Sequence, residues 1–311
     1  YTPGEQPNQP DMIKLNTNEN PYPPAPGVEK ALREMDTDTM RLYPDPTAGE
    51  LVHAIAKNYG LKDEQVFVGV GSDDVLAMSF LTFFNSQKPV LFPDITYSFY
   101  DVWAELFRIP YKQMPLDENF RLKIDDYKGK NGGIVFPNPN APTGIYESLD
   151  HVEEIIKNNP DVIVIVDEAY IDFGGETALP LIDKYDNLVV VRTFSKSRSM
   201  AGLRIGYAIS NPELIKALND VKYSYNSYTM NRPSLVLGVE SIHDDAYFRE
   251  KVGQIIATRE RFVKEIAELG FTCLPSSANF VFATHESIPA KEIFAAAKEN
   301  NIYVRYFDKP R

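Results

Sequence analysis

Lys196 lies in Thr193-Phe-Ser-Lys-Ser-Arg-Ser199, directly after the apolar run Leu188 to Val191 and eight residues before Arg204. An amine carried by a buried strand into a loop of hydroxyls and arginines can attack a carbonyl. Thr193, Ser195, Ser197 and Ser199 could donate hydrogen bonds to an anion there, and the planar fork of Arg204 suits a phosphate. Asp167 closes a second apolar run, Val162 to Val166. An ionised carboxylate in that place loses its hydration and needs a cationic partner, which an arginine or a protonated pyridine nitrogen would supply equally well. Tyr170, three residues on, can reach the same ligand. In Val66-Phe-Val-Gly-Val-Gly-Ser-Asp-Asp74 a strand runs through a glycine turn into a helix, which aims backbone N–H groups at a phosphate. Gly71 then serves the turn and Ser72 the helix N-cap. A dinucleotide fingerprint would want a third glycine at position 74, where Asp74 stands, so a nicotinamide-binding dehydrogenase does not fit.

These groups must be positioned by alternating β and α patterns. Candidate strands are Val66 to Val70, Pro89 to Phe92, Ile109 to Met114, Gly133 to Phe136, Val162 to Val166, Leu188 to Arg192 and Arg204 to Ile209. Helical stretches such as Asp74 to Phe84, Tyr97 to Leu106 and Asp150 to Lys157 lie between them. The pattern predicts an α/β fold: a large domain with a seven-stranded, mostly parallel sheet flanked by helices. Ligands of such sheets gather at the carboxyl ends of the strands, where Lys196 and Asp167 fall. Phe136-Pro-Asn-Pro-Asn-Ala-Pro-Thr-Gly144 adds a rigid loop at another strand end.

Residues 1–26, rich in Pro, Asn and Gly, read as an N-terminal arm, residues 27–244 as the large domain, and residues 245–311 as a smaller C-terminal α+β domain. Within the large domain Ala25 to Met35 and Gly49 to Asn58 read as further helices, and Glu213 to Val221 as another. The last unit opens on a long helix, Tyr247 to Leu269, stopped by Gly270. Phe271 to Leu274, Phe280 to Ala283, the helix Ala290 to Asn300 and Ile302 to Phe307 follow. The chain starts at Tyr1 and stops at Arg311 after a strand pattern, so both ends are expected to be incomplete.

A formal net charge of -12 over 311 residues argues against attraction to nucleic acid or an anionic membrane and makes a small molecule the expected partner. One cysteine, Cys273, excludes an intrachain disulfide framework and thiolate metal clusters, which fits the cytoplasm. We expect it to pack in a core or at a helix end. The histidines at 53, 151, 243 and 285 lack the spacing of a metal site on a helix, so no metal is expected and each reads as a surface or capping residue. No apolar stretch approaches the roughly 20 residues of a membrane span.

A phosphate cradle, an amide loop, a buried acid and a lysine at four strand ends are together the requirements of pyridoxal phosphate. The chain resembles fold-type I pyridoxal-phosphate aminotransferases, and among them the histidinol-phosphate aminotransferase family. The motifs are Leu15-Asn-Thr-Asn-Glu-Asn-Pro21, Tyr43-Pro-Asp-Pro46, Gly71-Ser-Asp-Asp74, Asn138-Pro-Asn-Ala-Pro-Thr-Gly144, Asp167-Glu-Ala-Tyr170, Thr193-Phe-Ser-Lys196 and Gly202-Leu-Arg-Ile-Gly-Tyr207. The resemblance implies transamination of L-histidinol phosphate with 2-oxoglutarate in histidine biosynthesis. Related alternatives are an aromatic amino-acid aminotransferase and a phosphothreonine decarboxylase. It also implies that Lys196 is the Schiff-base lysine, that Asp167 pairs with the ring nitrogen and that Tyr170 bonds the ring hydroxyl. The backbone amides of Ser72 and Asp73, with Thr193, Ser195 and Arg204, would hold the phosphate, and Tyr97 would stack on the ring. Tyr43 would reach the cofactor of a second copy, giving a homodimer with shared active sites, and the arm residues Asn18, Asn20 and Tyr22 would close over substrate. This chain has Ala141 where the family has Asn before Pro-Thr-Gly, so Asn140 is the candidate for that amide's role. The family's arginine for the substrate carboxylate or phosphate would fall after Arg311.

Overall fold

The chain is described here from a computed structural model, which covers residues 5–308; residues 1–4 of the arm and 309–311 lie outside the described residues. The arm carries a short strand, β1 (Ile13–Lys14), and leads into α1 (Pro26–Glu34) and α2 (Gly49–Tyr59). Then come β2 (Val66–Gly69), α3 (Gly71–Phe83), β3 (Val90–Pro93), α4 (Tyr100–Phe107), β4 (Tyr111–Met114), β5 (Gly133–Pro137), α5 (Leu149–Lys157), β6 (Val164–Asp167), β7 (Leu188–Thr193) and β8 (Gly206–Ile209). The remainder comprises α6 (Pro212–Tyr225), α7 (Arg232–His243), α8 (Asp245–Ala267), β9 (Phe271–Cys273), β10 (Ala283–His285), α9 (Ala290–Glu299) and β11 (Ile302–Tyr303).

The expected seven strands form one sheet in the order β2-β8-β7-β6-β5-β3-β4, with β8 antiparallel to both its neighbours and the other pairings parallel. Leu-Val-Val-Val of β7 is wholly buried because helices cover both faces, and its residues alternate between two cores. Leu188 and Val190 face a core completed by α1, α2, α5 and α7, while Val189 and Val191 face the aromatic core of α3, α4 and α6. No helix among the described residues is long and apolar enough to cross a membrane, nor do they contain a cluster of metal-ligating side chains.

Several local expectations need correction. Helix α3 begins at Gly71, so Ser72 lies inside the first turn rather than capping it; the Val70 N–H is instead taken by the Asp74 carboxylate at 2.9 Å. Tyr97 precedes α4, which starts only at Tyr100. Helix α7 is not among the helices expected from the sequence, because Gly238 and its β-branched residues lower its helix propensity. Packing against α1 and α2 overrides that weakness, and the Asn231 side chain caps it through Ser234 N–H at 2.8 Å. Phe280 lies outside any strand because its ring packs edge-on to Tyr170, and β10 begins only at Ala283, where pairing with β9 starts. Strand β11 stops at Tyr303 because its partner is the two-residue β1 of the arm, which it joins in parallel. Cys273 sits half-buried in β9 rather than in a helix end or a core.

Two glycines let the sheet meet α3. Gly71 adopts φ +84°, and Gly206 of β8 runs so near that turn that a Cβ there would lie 2.2 Å from the Gly71 carbonyl carbon. Gly206→Ala is therefore expected to lower unfolding free energy by about 2 kcal/mol or more. Gly253→Ala, in α8 with nothing within 4 Å, should instead raise it by roughly 0.5–1 kcal/mol. Urea denaturation of the two variants beside the parent checks this; equal shifts would refute the close approach.

Candidate active site

Asp167 is the last residue of β6, in register with Pro137 of β5 and Val191 of β7. Its carboxylate is buried and accepts hydrogen bonds from the Tyr100 hydroxyl at 3.0 Å and the Ala169 N–H at 3.2 Å. The expected cation is absent: among the described residues no ion pair includes Asp167. Burial pushes its pKa from 3.8 up to about 6, against the lowering pull of the two hydrogen bonds and helped by the nearby charges of Asp73 and Glu168. The Tyr100 phenol, itself fully buried and beside this acid, is pushed well above its ordinary value and stays a proton donor. The strand end is thus a negative, dry socket suited to a cation.

Lys196 follows three residues after β7 ends. Its Nζ donates to the Thr17 carbonyl at 2.9 Å and lies 5.6 Å from the centroid of the Tyr170 ring. The arm crosses directly over this loop. Asn18, at φ 56°, a left-handed conformation that asparagine tolerates, donates to the Tyr170 hydroxyl at 3.1 Å. Asn20 donates to the backbone carbonyls of Lys196 at 2.9 Å and Ser197 at 3.2 Å, and accepts the Tyr22 N–H at 3.0 Å. Its amide is therefore spent on the lysine loop. Tyr22 packs with the cluster around Tyr170 and Phe173, its ring 5.0 Å from Lys251 Nζ.

The first turn of α3, whose leading N–H groups have no intrahelical acceptor, forms the third side. Arg204 donates to one oxygen of Asp73 at 2.9 Å, and the Tyr97 hydroxyl donates to the other at 2.7 Å. Beside them the Thr193 hydroxyl donates to Ser195 Oγ at 2.9 Å and accepts the Ser195 N–H at 3.0 Å. Arg204, Asp73 and Tyr97 thus form one hydrogen-bonded set, with Ser72 next to Asp73 in the first turn of α3, and Thr193 with Ser195 forms a second. Ser197 joins neither: its hydroxyl donates to the Asp172 carboxylate, so the expectation that it serves a ligand's anion is corrected.

Asn140 divides its amide between its own loop and the segment before Tyr97, donating to the Thr143 hydroxyl and the Ile95 carbonyl and accepting from Thr96, each at 3.0 Å. Tyr43 is 80% exposed, packed on Tyr228 and held through its carbonyl by Arg232. The sequence reading missed Thr17 and Tyr100, which act through a carbonyl and a core phenol. It also missed an ionic set of which two members are buried: Arg192 is bound to the buried Glu168 at 2.9 Å and to the partly exposed Asp172 at 3.2 Å. An arginine ending Val-Val-Val-Arg, beside an acidic run at the neighbouring strand end, was the available signal. Removing Arg192 would cost roughly 3–5 kcal/mol, because the buried Glu168 carboxylate would be left without its cation.

The family model for aminotransferase class I and II matches residues 10–311. The chain belongs to the class I and II aminotransferase family. Within this family it is 52% identical over 311 residues to the histidinol-phosphate aminotransferase of Clostridium botulinum strain 657, covering 100% of this chain and 88% of that protein. The corresponding protein of Acinetobacter baylyi is 51% identical over 314 residues, covering 100% of this chain and 87% of its own length. The crystal structure of the histidinol-phosphate aminotransferase of Sinorhizobium meliloti in complex with pyridoxal-5'-phosphate shares the fold, with a TM-score of 0.86 at 24% identity over 94% of this chain and 82% of that one. A class I and II aminotransferase thus has its buried acid, its lysine and its helix start at the same edge of the sheet.

The raised pKa of Asp167 has a sign that experiment can read. Without a bound cation the folded protein holds this proton more tightly than the unfolded chain does. Stability therefore falls as pH rises from about 4, and the loss is complete above about 6. Asp167→Asn should stabilise the cofactor-free protein above that range by up to about 3 kcal/mol and flatten the dependence below it. Unfolding measured across the range checks this; a less stable variant on the alkaline side would show the carboxylate to be compensated.

Proposed function

We infer that this aminotransferase uses pyridoxal 5'-phosphate to move the amino group of L-histidinol phosphate to 2-oxoglutarate, in histidine biosynthesis and in the cytoplasm. The observation that carries the cofactor is Asp167, a buried carboxylate with no ion-pair partner among the described residues, one strand from a lysine. A pyridine ring with its nitrogen protonated supplies the missing charge, so the residues present fit the group. The substrate rests on the two relatives about half identical over the whole chain.

When bound, the cofactor supplies an aldehyde for amines and a ring that withdraws electrons. Asp167 keeps the ring nitrogen protonated, and Tyr100, bonded to Asp167, holds that carboxylate in place. Tyr170 would hold the ring oxygen. The Ser72 and Asp73 N–H groups, Thr193, Ser195 and Arg204 would hold the phosphate at the helix start, where the dipole favours an anion. Tyr97, anchored through Asp73, would offer its ring to stack on the cofactor. Lys196 Nζ takes the proton from the substrate Cα. Asn20 and Tyr22 shape the substrate side by fixing the arm.

We place the cofactor-bearing unit at 27–244, with the arm before it and a smaller unit from 245 onward. A homodimer supplies Tyr43 to the neighbouring site. Its support is the exposed aromatic pair Tyr43 and Tyr228, whose ring centroids lie 4.7 Å apart.

Lys196→Ala should lower turnover by about 10⁴-fold or more while the cofactor-free fold persists. Borohydride should fix the cofactor to Lys196 in the parent protein. Histidinol phosphate, phenylalanine and phosphothreonine offered with 2-oxoglutarate should yield glutamate fastest from the first. Carbon dioxide from phosphothreonine, or faster glutamate from phenylalanine, would replace this substrate assignment.

A further inference from the structure

Beyond the ends of β6 and β7 the ladder no longer ties the two strands, since its register ends with Asp167 opposite Val191. Tyr170 and Lys196 both lie past that point. What joins their segments there is a side-chain brace. The Ser197 hydroxyl donates to Asp172 Oδ2 at 2.5 Å, and Asp172 Oδ1 accepts from Arg192 Nη1 at 3.2 Å. Arg192 lies inside β7 and is bound in turn by Glu168, next to Asp167, and by the Tyr59 hydroxyl at 3.0 Å. The brace is rooted in the buried sheet and ends one residue from Lys196. On the opposite side Asn20 grips the Lys196 and Ser197 carbonyls.

We propose that Asp172 and Ser197 are positioning residues that hold the lysine loop at a set place relative to Asp167 and Tyr170. The proposal rests on the assignment of Lys196 as the cofactor-bearing amine. Neither residue belongs to the two hydrogen-bonded sets at the helix start: Thr193 and Ser195 pair with each other, whereas the buried Ser197 hydroxyl turns to Asp172. An amine that must reach both a cofactor carbon and a substrate proton loses rate steeply when its backbone drifts, since positioning errors near 1 Å can cost about 100-fold. Ser197 is the sensitive point because its hydroxyl can be removed while the Arg192–Asp172 and Arg192–Glu168 pairs stay whole.

The test is a titration of cofactor-free protein with pyridoxal phosphate, followed by absorbance, for the parent, Ser197→Ala, Ser197→Thr and Asp172→Asn. Ser197→Ala should bind about 10-fold more weakly and turn over about 10-fold more slowly, with the amino donor's KM within about 2-fold. Its thermal midpoint without cofactor should fall by only a few degrees, the loss of one buried hydrogen bond. Ser197→Thr, which restores the hydroxyl, should recover most of the affinity. Asp172→Asn, which keeps an acceptor but loses the charge that Arg192 holds, should fall between them, and it carries the test if Ser197→Ala does not fold. Parental affinity and kcat in Ser197→Ala would overturn the positioning role alone. A parent protein that takes up no pyridoxal phosphate would overturn the assignment of Lys196 as well.

Discussion

A carboxylate at the dry end of a parallel strand is the constraint around which this structure is arranged. Desolvation makes the ionised form of Asp167 costly, and the protein answers with a phenol and a backbone N–H rather than with a counter-ion. Those two hydrogen bonds orient the carboxylate without neutralising it. The acid is left as an acceptor of positive charge in a place that water does not reach. Every other part of the site then has to lie within one small ligand's span of that point.

The parallel sheet makes that possible with little loop length. Strands β5, β6 and β7 run the same way, so their carboxyl ends converge, and β8 returns antiparallel to bring Arg204 beside the start of α3. Glycine at 71 and 206 lets this return pass close to the helix start. The arm closes the remaining side with polar contacts, its Asn-Thr-Asn sequence donating to Tyr170 and accepting from Lys196 through the Thr17 carbonyl. Because β1 pairs with β11, the cover over the lysine is also attached to the carboxyl-terminal region. An ionic brace from the buried Arg192 stiffens the two strand ends from behind.

Much of this was legible in the residues. Short continuous Val and Ile runs ending in Asp167 or leading to Lys196 read as central strands, and the glycine turn into α3 announces a helix start. Less legible were features whose cause lies far away in the chain. Helix α7 has poor intrinsic propensity and forms because α1 and α2 need a partner. Tyr100 reads as one more core aromatic, and only the approach of α4 to β6 makes it the partner of an acid 67 residues on. Ser197 reads as one of four equivalent loop hydroxyls until Asp172 is seen to take it.

By itself the sequence determined the order of the seven sheet strands and of most helices, the placement of an acid, a lysine and a glycine turn at strand ends, and a family motif set spanning the chain. Those are local properties, set by hydrophobic period, by the backbone freedom of glycine and by the chemistry of single side chains. Which partners those side chains took was decided only by the tertiary structure. Hydrogen bonds and ion pairs depend on distances between segments that periodicity does not encode. So the uncompensated charge of Asp167, the commitment of the Asn20 and Asn140 amides, and the Arg192–Asp172–Ser197 brace emerge only when the strands lie side by side.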